Sequence, residues 1–254
     1  MSALAIAAIV LACVFSGALA GLYLRSLLPS HHLQEDSKDI VKLAIGVVAT
    51  MSALLLGLLV SSAKDSFDKM SDELTQTSVR VIQVDRTLAL YGPETKEVRD
   101  KLRHEFQAVV EALFSQDKSS LAQLRAPGAG DRVSGLQAAI HALTPRGDEQ
   151  RELRSHAAAL AGEVSANRTL LLLQQHDSIS VPLLVVVVSW FALIFVGFGL
   201  FSPRNGTAIA ALFLCALSVS GAMFLILEMD DPLRGIVRIS DVPMRSAIAI
   251  LKND

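Results

Sequence analysis

Four apolar runs, at 3–24, 40–63, 179–201 and 207–227, limit every arrangement this chain can adopt. A helix of about 20 predominantly apolar residues is needed to cross the hydrocarbon core of a bilayer. Lipid offers the backbone no hydrogen-bond partner, so each run is expected as a helix that satisfies its own N–H and C=O groups. Polar links at 25–39 and 202–206 join the runs in pairs, and a long polar region at 64–178 separates the pairs. The expected fold is all-α, an integral membrane protein with four transmembrane helices as two hairpins (1–63 and 179–228). A cytoplasmic helical bundle at 64–178 stands between the second and third helices, and a cytoplasmic tail at 229–254 follows the fourth. With 52% hydrophobic and 19% charged residues, the 254-residue chain is too apolar for an ordinary soluble domain and too charged to lie wholly in lipid.

The first run has a rival reading. Ala18-Leu19-Ala20 before Gly21 resembles a signal-peptidase site. No Lys or Arg precedes the run, however, and it continues to Leu24, so a retained helix is expected. Orientation follows from basic residues near the helix ends. Lys64, Lys69, Arg80 and Arg168 flank the middle region, and Arg234, Arg238 and Arg245 follow the fourth run. Arg25, Lys38 and Arg204 lie on the opposite side, with Lys42 near the outer end of the second helix. The bias places the middle region and both termini in the cytoplasm, with the chain in a cell inner membrane.

The middle region reads as helical. Phe67, Met70, Leu74, Thr77, Val81, Val84, Leu88 and Tyr91 recur at alternating spacings of three and four, a heptad seam continuing from the second membrane helix. Tyr91-Gly92-Pro93 ends it, because proline disfavours helix in the residue before it and glycine permits the turn. A helix from Glu94 carries Val98, Leu102, Phe106, Val109 and Leu113 on one face. The loop Ala126-Pro127-Gly128-Ala129-Gly130 precedes a short helix from about Arg132 to Leu143. A last helix from Asp148 carries Leu153, Ala157, Leu160, Val164, Asn167 and Leu171 towards the third span. The bundle either packs on itself or also meets neighbouring subunits.

The chain carries no G-x-S-x-G, H-E-x-x-H or P-loop pattern, and an enzyme is not expected. A formal net charge of −2 gives no footprint for nucleic acid. Cys13 and Cys215 lie inside apolar runs and read as packing residues. His31-His32, near Glu35, Asp36 and Asp39, could bind a divalent metal. A solvated polar loop explains the same residues, and no metal or cofactor is expected. On the second membrane helix, Gly46, Thr50, Ala53, Gly57, Ser61 and Lys64 share one face, opposite Val48, Leu55 and Leu59. Such a stripe lets a neighbouring helix approach closely, or lines a narrow water path that bulky apolar side chains would block. Gly17-x-x-x-Gly21 and Gly197-x-Gly199 read as packing glycines.

Beyond the fourth run stand Glu228, Asp230 and Asp231, then a turn at Pro232 and Gly235. Membrane-end acids are cheap where water reaches them. A ring of such carboxylates, one per subunit, would instead attract cations. Pairing with Arg234 and Arg238 is the third possibility.

Glu228, Asp231-Pro232, Gly235 and Asp241-Val242-Pro243-Met244 resemble the segment that follows the fourth membrane helix in prokaryotic bestrophins. The chain resembles more closely a bacterial bestrophin-like family. That likeness is carried by His32-Leu33 with Asp36, Asp85-Arg86 with Leu88-Ala89, Tyr91-Gly92-Pro93-Glu94, Arg99 and the tail from Glu228 to Ser240. Bestrophins are pentameric channels, mostly anion-selective, whose second membrane helix lines a neck closed by large apolar side chains. This chain departs from them: Leu233 and Arg234 stand where their Pro-Phe-Gly has Phe, and the calcium-clasping acids shrink to Glu228, Asp230 and Asp231. Calcium gating is therefore not carried over.

The resemblance implies a homo-oligomeric ion channel or pore, a pentamer in lipid that passes inorganic ions. Gly46, Thr50, Gly57 and Ser61 would face the path, and Glu228, Asp230, Asp231, Pro232 and Gly235 would shape its cytoplasmic junction. The other expectation is a non-conducting scaffold or sensor that docks a partner around Asp85, Arg86, Tyr91, Gly92, Pro93 and Arg99. A purely structural use of those residues, with Asp85 and Arg86 paired inside the bundle, competes with it.

Overall fold

All four apolar runs are helices in the computed structural model, which describes residues 2–27, 35–115, 129–174, 181–230, 232–233 and 235–253. In order these residues form α1 (Ala3–Leu27), α2 (Glu35–Tyr91), a 3-10 turn (Pro93–Thr95), α3 (Lys96–Phe114), α4 (Ala129–His141), α5 (Asp148–Gln174), α6 (Val181–Phe201), α7 (Gly206–Asp230) and α8 (Val242–Asn253). No strand occurs among them. Helices α1, α2, α6 and α7 are long and apolar enough to cross a membrane. The chain divides into two units. One comprises Met1–Ser66, Ser178–Asp231 and Gly235–Val237, and the other Phe67–Asp177, Pro232–Arg234 and Arg238–Asp254.

In the unit that carries the spans, α1 is the central helix, packing along both α6 and α7. Helices α6 and α7, consecutive in the chain, touch over a shorter length. The α1–α6 crossing is built on glycine. A Cβ at Gly17 would stand 2.7 Å from the Ala192 carbonyl oxygen, and one at Gly21 would stand 2.9 Å from Leu200 N and collide with the Val196 carbonyl. From the other side, a Cβ at Gly199 would collide with the Ala18 carbonyl. Rising numbers on α1 meet rising numbers on α6, so the two helices run parallel. Close backbone approach of this kind supplies the van der Waals contact that drives helix association where lipid is as apolar as leucine.

The parallel arrangement brings two helix C-termini together, each with carbonyls that lack an intrahelical donor. Arg204 Nη2 donates to the Leu22 carbonyl at 2.9 Å, and Arg25 Nη1 donates to the Ser202 carbonyl. Ser202 stands just past α6, so Arg25 caps that helix, whereas Leu22 still has its intrahelical donor and Arg204 adds a second one; at both places a cation meets the negative end of a helix dipole. Helix α7 lies antiparallel to α1, fixed by Ser220 Oγ donating to the Ala7 carbonyl at 2.7 Å and by an edge-to-face contact of Phe15 on Phe213. Within this unit α2 buries one face only. Ser52, Leu59 and Ala63 are buried, Val48 and Leu55 are partly buried, and Ile45 fills the space over Gly197.

In the other unit, the heptad seam of α2 is the core wall. Met70, Leu74, Thr77, Val81, Val84, Leu88 and Tyr91 are buried, and Phe67 packs partly against them. Gly92 ends the helix at φ 136°, ψ 177°, a conformation that residues with a Cβ rarely adopt. The next α-helix begins at Lys96 rather than Glu94, because Pro93–Thr95 first form a 3-10 turn. Its buried face is Val98, Leu102, Phe106 and Val110, a strict spacing of four, so Val109 is displaced to a half-buried position. Helix α4 starts at Ala129, three residues before the expected Arg132, and takes in part of the expected loop. Helix α5 returns antiparallel to α2, with Gln150 bonded to the Tyr91 carbonyl and Glu163 to Arg80. Its Ala157, Leu160 and Ala161 are buried and Val164 packs partly against them; the side chain of Leu171 lies outside the described residues. The tail holds a helix that its sequence does not announce: α8 lays Met244, Ala247 and Leu251 against α3.

The glycine crossing gives a direct test. Gly21→Ala and Gly199→Ala push a methyl group into backbone that cannot yield, and each is expected to destabilise the protein by about 1–3 kcal/mol. Gly57→Ala, where a Cβ has nothing within 4 Å, is expected to leave stability unchanged or raise it slightly. Thermal unfolding of the three variants in detergent measures the contrast.

Candidate functional site

Of the apolar windows in the four candidate spans, that of α2 is the least covered by its own chain. Only 11% of it is buried, against 22% in α7 and 28% in both α1 and α6. The uncovered face carries Gly46, Thr50, Ala53, Gly57, Ser61 and Lys64, all exposed. A Cβ added at Gly46 or Gly57 would meet nothing within 4 Å among the described residues. The contrast with Gly17, Gly21, Gly197 and Gly199 is chemical as well as geometric. Those four are small because another helix occupies the space, whereas Gly46 and Gly57 face no helix among the described residues. Thr50 Oγ1 donates to the Val47 carbonyl at 2.8 Å, which turns its hydroxyl into its own helix. An open hollow follows this face past Asp39, Lys42, Leu43, Gly46, Val47 and Thr50. Asp39 and Lys42 pair at 3.0 Å in an exposed contact at one end of it.

The acid cluster after α7 separates into unlike members. Glu228 is buried, with 8% exposure. Its Oε2 accepts the N–H of Ile236, and that of Val237 at 3.4 Å. Gly235 lies so close that a Cβ there would overlap the carboxylate. Its missing side chain is therefore what lets the turn fold over Glu228. Asp230 is half-buried and engaged. Pro232 is buried, and its carbonyl accepts the Ile239 N–H at 3.0 Å. Asp231 and Arg234 lie outside the described residues.

At the far end of α2, Asp85 is 1% exposed and holds two arginines. Arg99 binds it through both forks, Nε to Oδ1 at 2.9 Å and Nη2 to Oδ2 at 2.7 Å. Arg103 Nη2 adds a third bond to Oδ2 at 3.2 Å. The expected Asp85–Arg86 pair is not formed. Consecutive side chains on a helix point about 100° apart, and Arg86 faces outward, exposed. The Tyr91-Gly92-Pro93 turn is closed by Thr95, which is fully buried. Its hydroxyl lies 2.6 Å from the Leu88 carbonyl and 2.8 Å from the Gly92 carbonyl, sharing one proton between them. Gln150 locks the turn from α5, donating to the Tyr91 carbonyl at 2.9 Å while accepting the Arg146 N–H at 2.8 Å.

Arg103, Thr95 and Gln150 are thus part of this cluster without having been singled out from sequence. For Arg103 a signal exists, since it lies one helical turn after Arg99 and shares its face. His31 and His32 lie outside the described residues, as do the side chains of Glu35 and Asp36. Among the described residues, no three His, Cys, Asp or Glu side chains gather as a metal site would require.

Removing the buried carboxylate leaves two guanidinium groups facing each other without the acceptor they share. Asp85→Ala is expected to cost about 3 kcal/mol or more, and Arg86→Ala less than about 0.5 kcal/mol, both read by chemical denaturation. Thr95→Val strands the Leu88 carbonyl and is expected to cost about 1–3 kcal/mol in the same assay.

No curated protein and no solved structure matches the chain. A family model described as a Bestrophin-like domain matches residues 12–244, which takes in most of the first candidate span, the other three, the α2–α3 turn and the Glu228 turn. On that match the chain belongs to the bestrophin-like family.

Proposed function

We propose that the protein is the subunit of a homo-oligomeric ion channel or pore, with the uncovered face of α2 directed at the path. The observation that carries this reading is the pair of glycines with open space. A lipid-facing helix gains from large apolar side chains, and a helix buried in its own chain has neighbours at its small residues. Gly46, Thr50, Gly57 and Ser61 fit neither case. They suit a narrow wet path, or a boundary that only another copy completes. Membership of the bestrophin-like family supports a ring of subunits, five by analogy, in a cell inner membrane with both termini in the cytoplasm. Glu228 then serves the junction by fixing its turn, with its carboxylate already occupied by backbone N–H groups.

A second reading, a non-conducting scaffold or sensor, is favoured by one observation. Arg86 is exposed and not held by Asp85, and Leu90, one turn further on, is 74% exposed. A partner that is recovered with the native protein and lost with Arg86→Ala would support it.

The channel reading is tested at Gly57, where a Cβ would meet nothing within 4 Å among the described residues. Gly57→Phe is expected to abolish ion flux in reconstituted vesicles while native mass spectrometry shows the same oligomer. Unchanged flux through an assembled Gly57→Phe complex would remove α2 from the path.

A further inference from the structure

The turn after α7 presents an isoleucine where a soluble protein would gain nothing from one. Ile236 is 74% exposed, the same as Leu90 and below only Leu54 among the exposed large apolar residues. A single exposed isoleucine on an ordinary surface needs no explanation. This one differs in its level. The apolar run of α7 ends at Leu227, and Glu228 is the next residue. Because the Glu228 carboxylate accepts the Ile236 N–H, the backbone of residue 236 is held within one side-chain length of the end of that apolar run.

The same bond removes the main obstacle to lipid contact. Irregular backbone at that depth normally strands N–H groups that water cannot reach, at a cost of several kcal/mol each. Here the N–H groups of both Ile236 and Val237 share a carboxylate acceptor, a stronger partner than a neutral one. Gly235, by lacking a Cβ, lets the chain fold down onto that acceptor.

We propose that the Gly235–Val237 turn is a lipid-contacting foot, in which Glu228 satisfies the backbone so that Ile236 can rest its side chain in the boundary between acyl chains and headgroups. The occupant is the bilayer itself. The proposal rests on α7 crossing a membrane and is independent of whether the protein conducts ions.

The test uses the full chain with Cys13 and Cys215, both exposed, replaced by alanine. Ile236→Cys is labelled with a nitroxide and the protein is reconstituted in phosphatidylcholine vesicles. Power-saturation measurements compare collisions with oxygen, which concentrates in lipid, and with a water-soluble nickel chelate. The proposal expects oxygen collisions to exceed nickel collisions several-fold. Dominant nickel collisions would place residue 236 in water and overturn it. Protection from both reagents would show it covered by protein, such as a second copy of the chain, and would also overturn it. Adding Glu228→Ala to the labelled chain is expected to move the label towards the nickel reagent, and an unchanged ratio would remove Glu228 from the device. Should that variant fail to fold, the measurement on Ile236→Cys alone still decides whether the turn meets lipid.

Discussion

Inside a bilayer the hydrophobic effect cannot gather helices, because a leucine gains nothing by leaving lipid for protein. The unit that carries the spans answers this constraint with backbone contact between α1 and α6. Gly17 and Gly21 admit carbonyls of α6, and Gly199 admits a carbonyl of α1. The remaining packing follows from that parallel crossing. It brings the ends of α1 and α6 together, so that Arg25 and Arg204 can each donate to a carbonyl across the pair. It also leaves another flank of α1 for α7, pinned by Ser220.

Helix α2 obeys a different logic, and its two faces were legible in the sequence. The heptad positions from Phe67 to Tyr91 form the buried wall of their unit, since a seam of that length has one way to exclude water. The packing glycines of α1 were legible for the same reason, two small residues four apart on one face, while Gly197 and Gly199 on α6 point apart and meet α2 and α1. What small residues meet is not written locally. Gly17 and Gly57 look alike in sequence, yet one touches the Ala192 carbonyl and the other touches nothing within 4 Å.

The Asp85 cluster shows where local reading stops. Adjacency in sequence suggested Arg86, but helical geometry turns neighbours apart, and the partners come from α3, 14 and 18 residues on. Thr95 was invisible because its value lies in a carbonyl seven residues earlier, orphaned only once Gly92 ends the helix. Helix α8 is hard to read because its apolar face is short, Met244, Ala247, Ile248 and Leu251, and Pro243 sits at its start, whereas α3 supplies the surface that it packs on. For Glu228 the sequence offered three uses, and the bonds to Ile236 and Val237 add a fourth, an internal acceptor for the chain's own turn.

The glycine crossing of α1 and α6 carries a consequence for biosynthesis. Gly17 waits for the Ala192 carbonyl, 175 residues later in the chain. At ribosomal speeds of about 5–20 residues per second, that is a delay of roughly 10–40 s. Through that interval the first span is in the bilayer with its glycine face bare. An insertion factor that shelters a young span until its partner emerges would find its longest task here on α1.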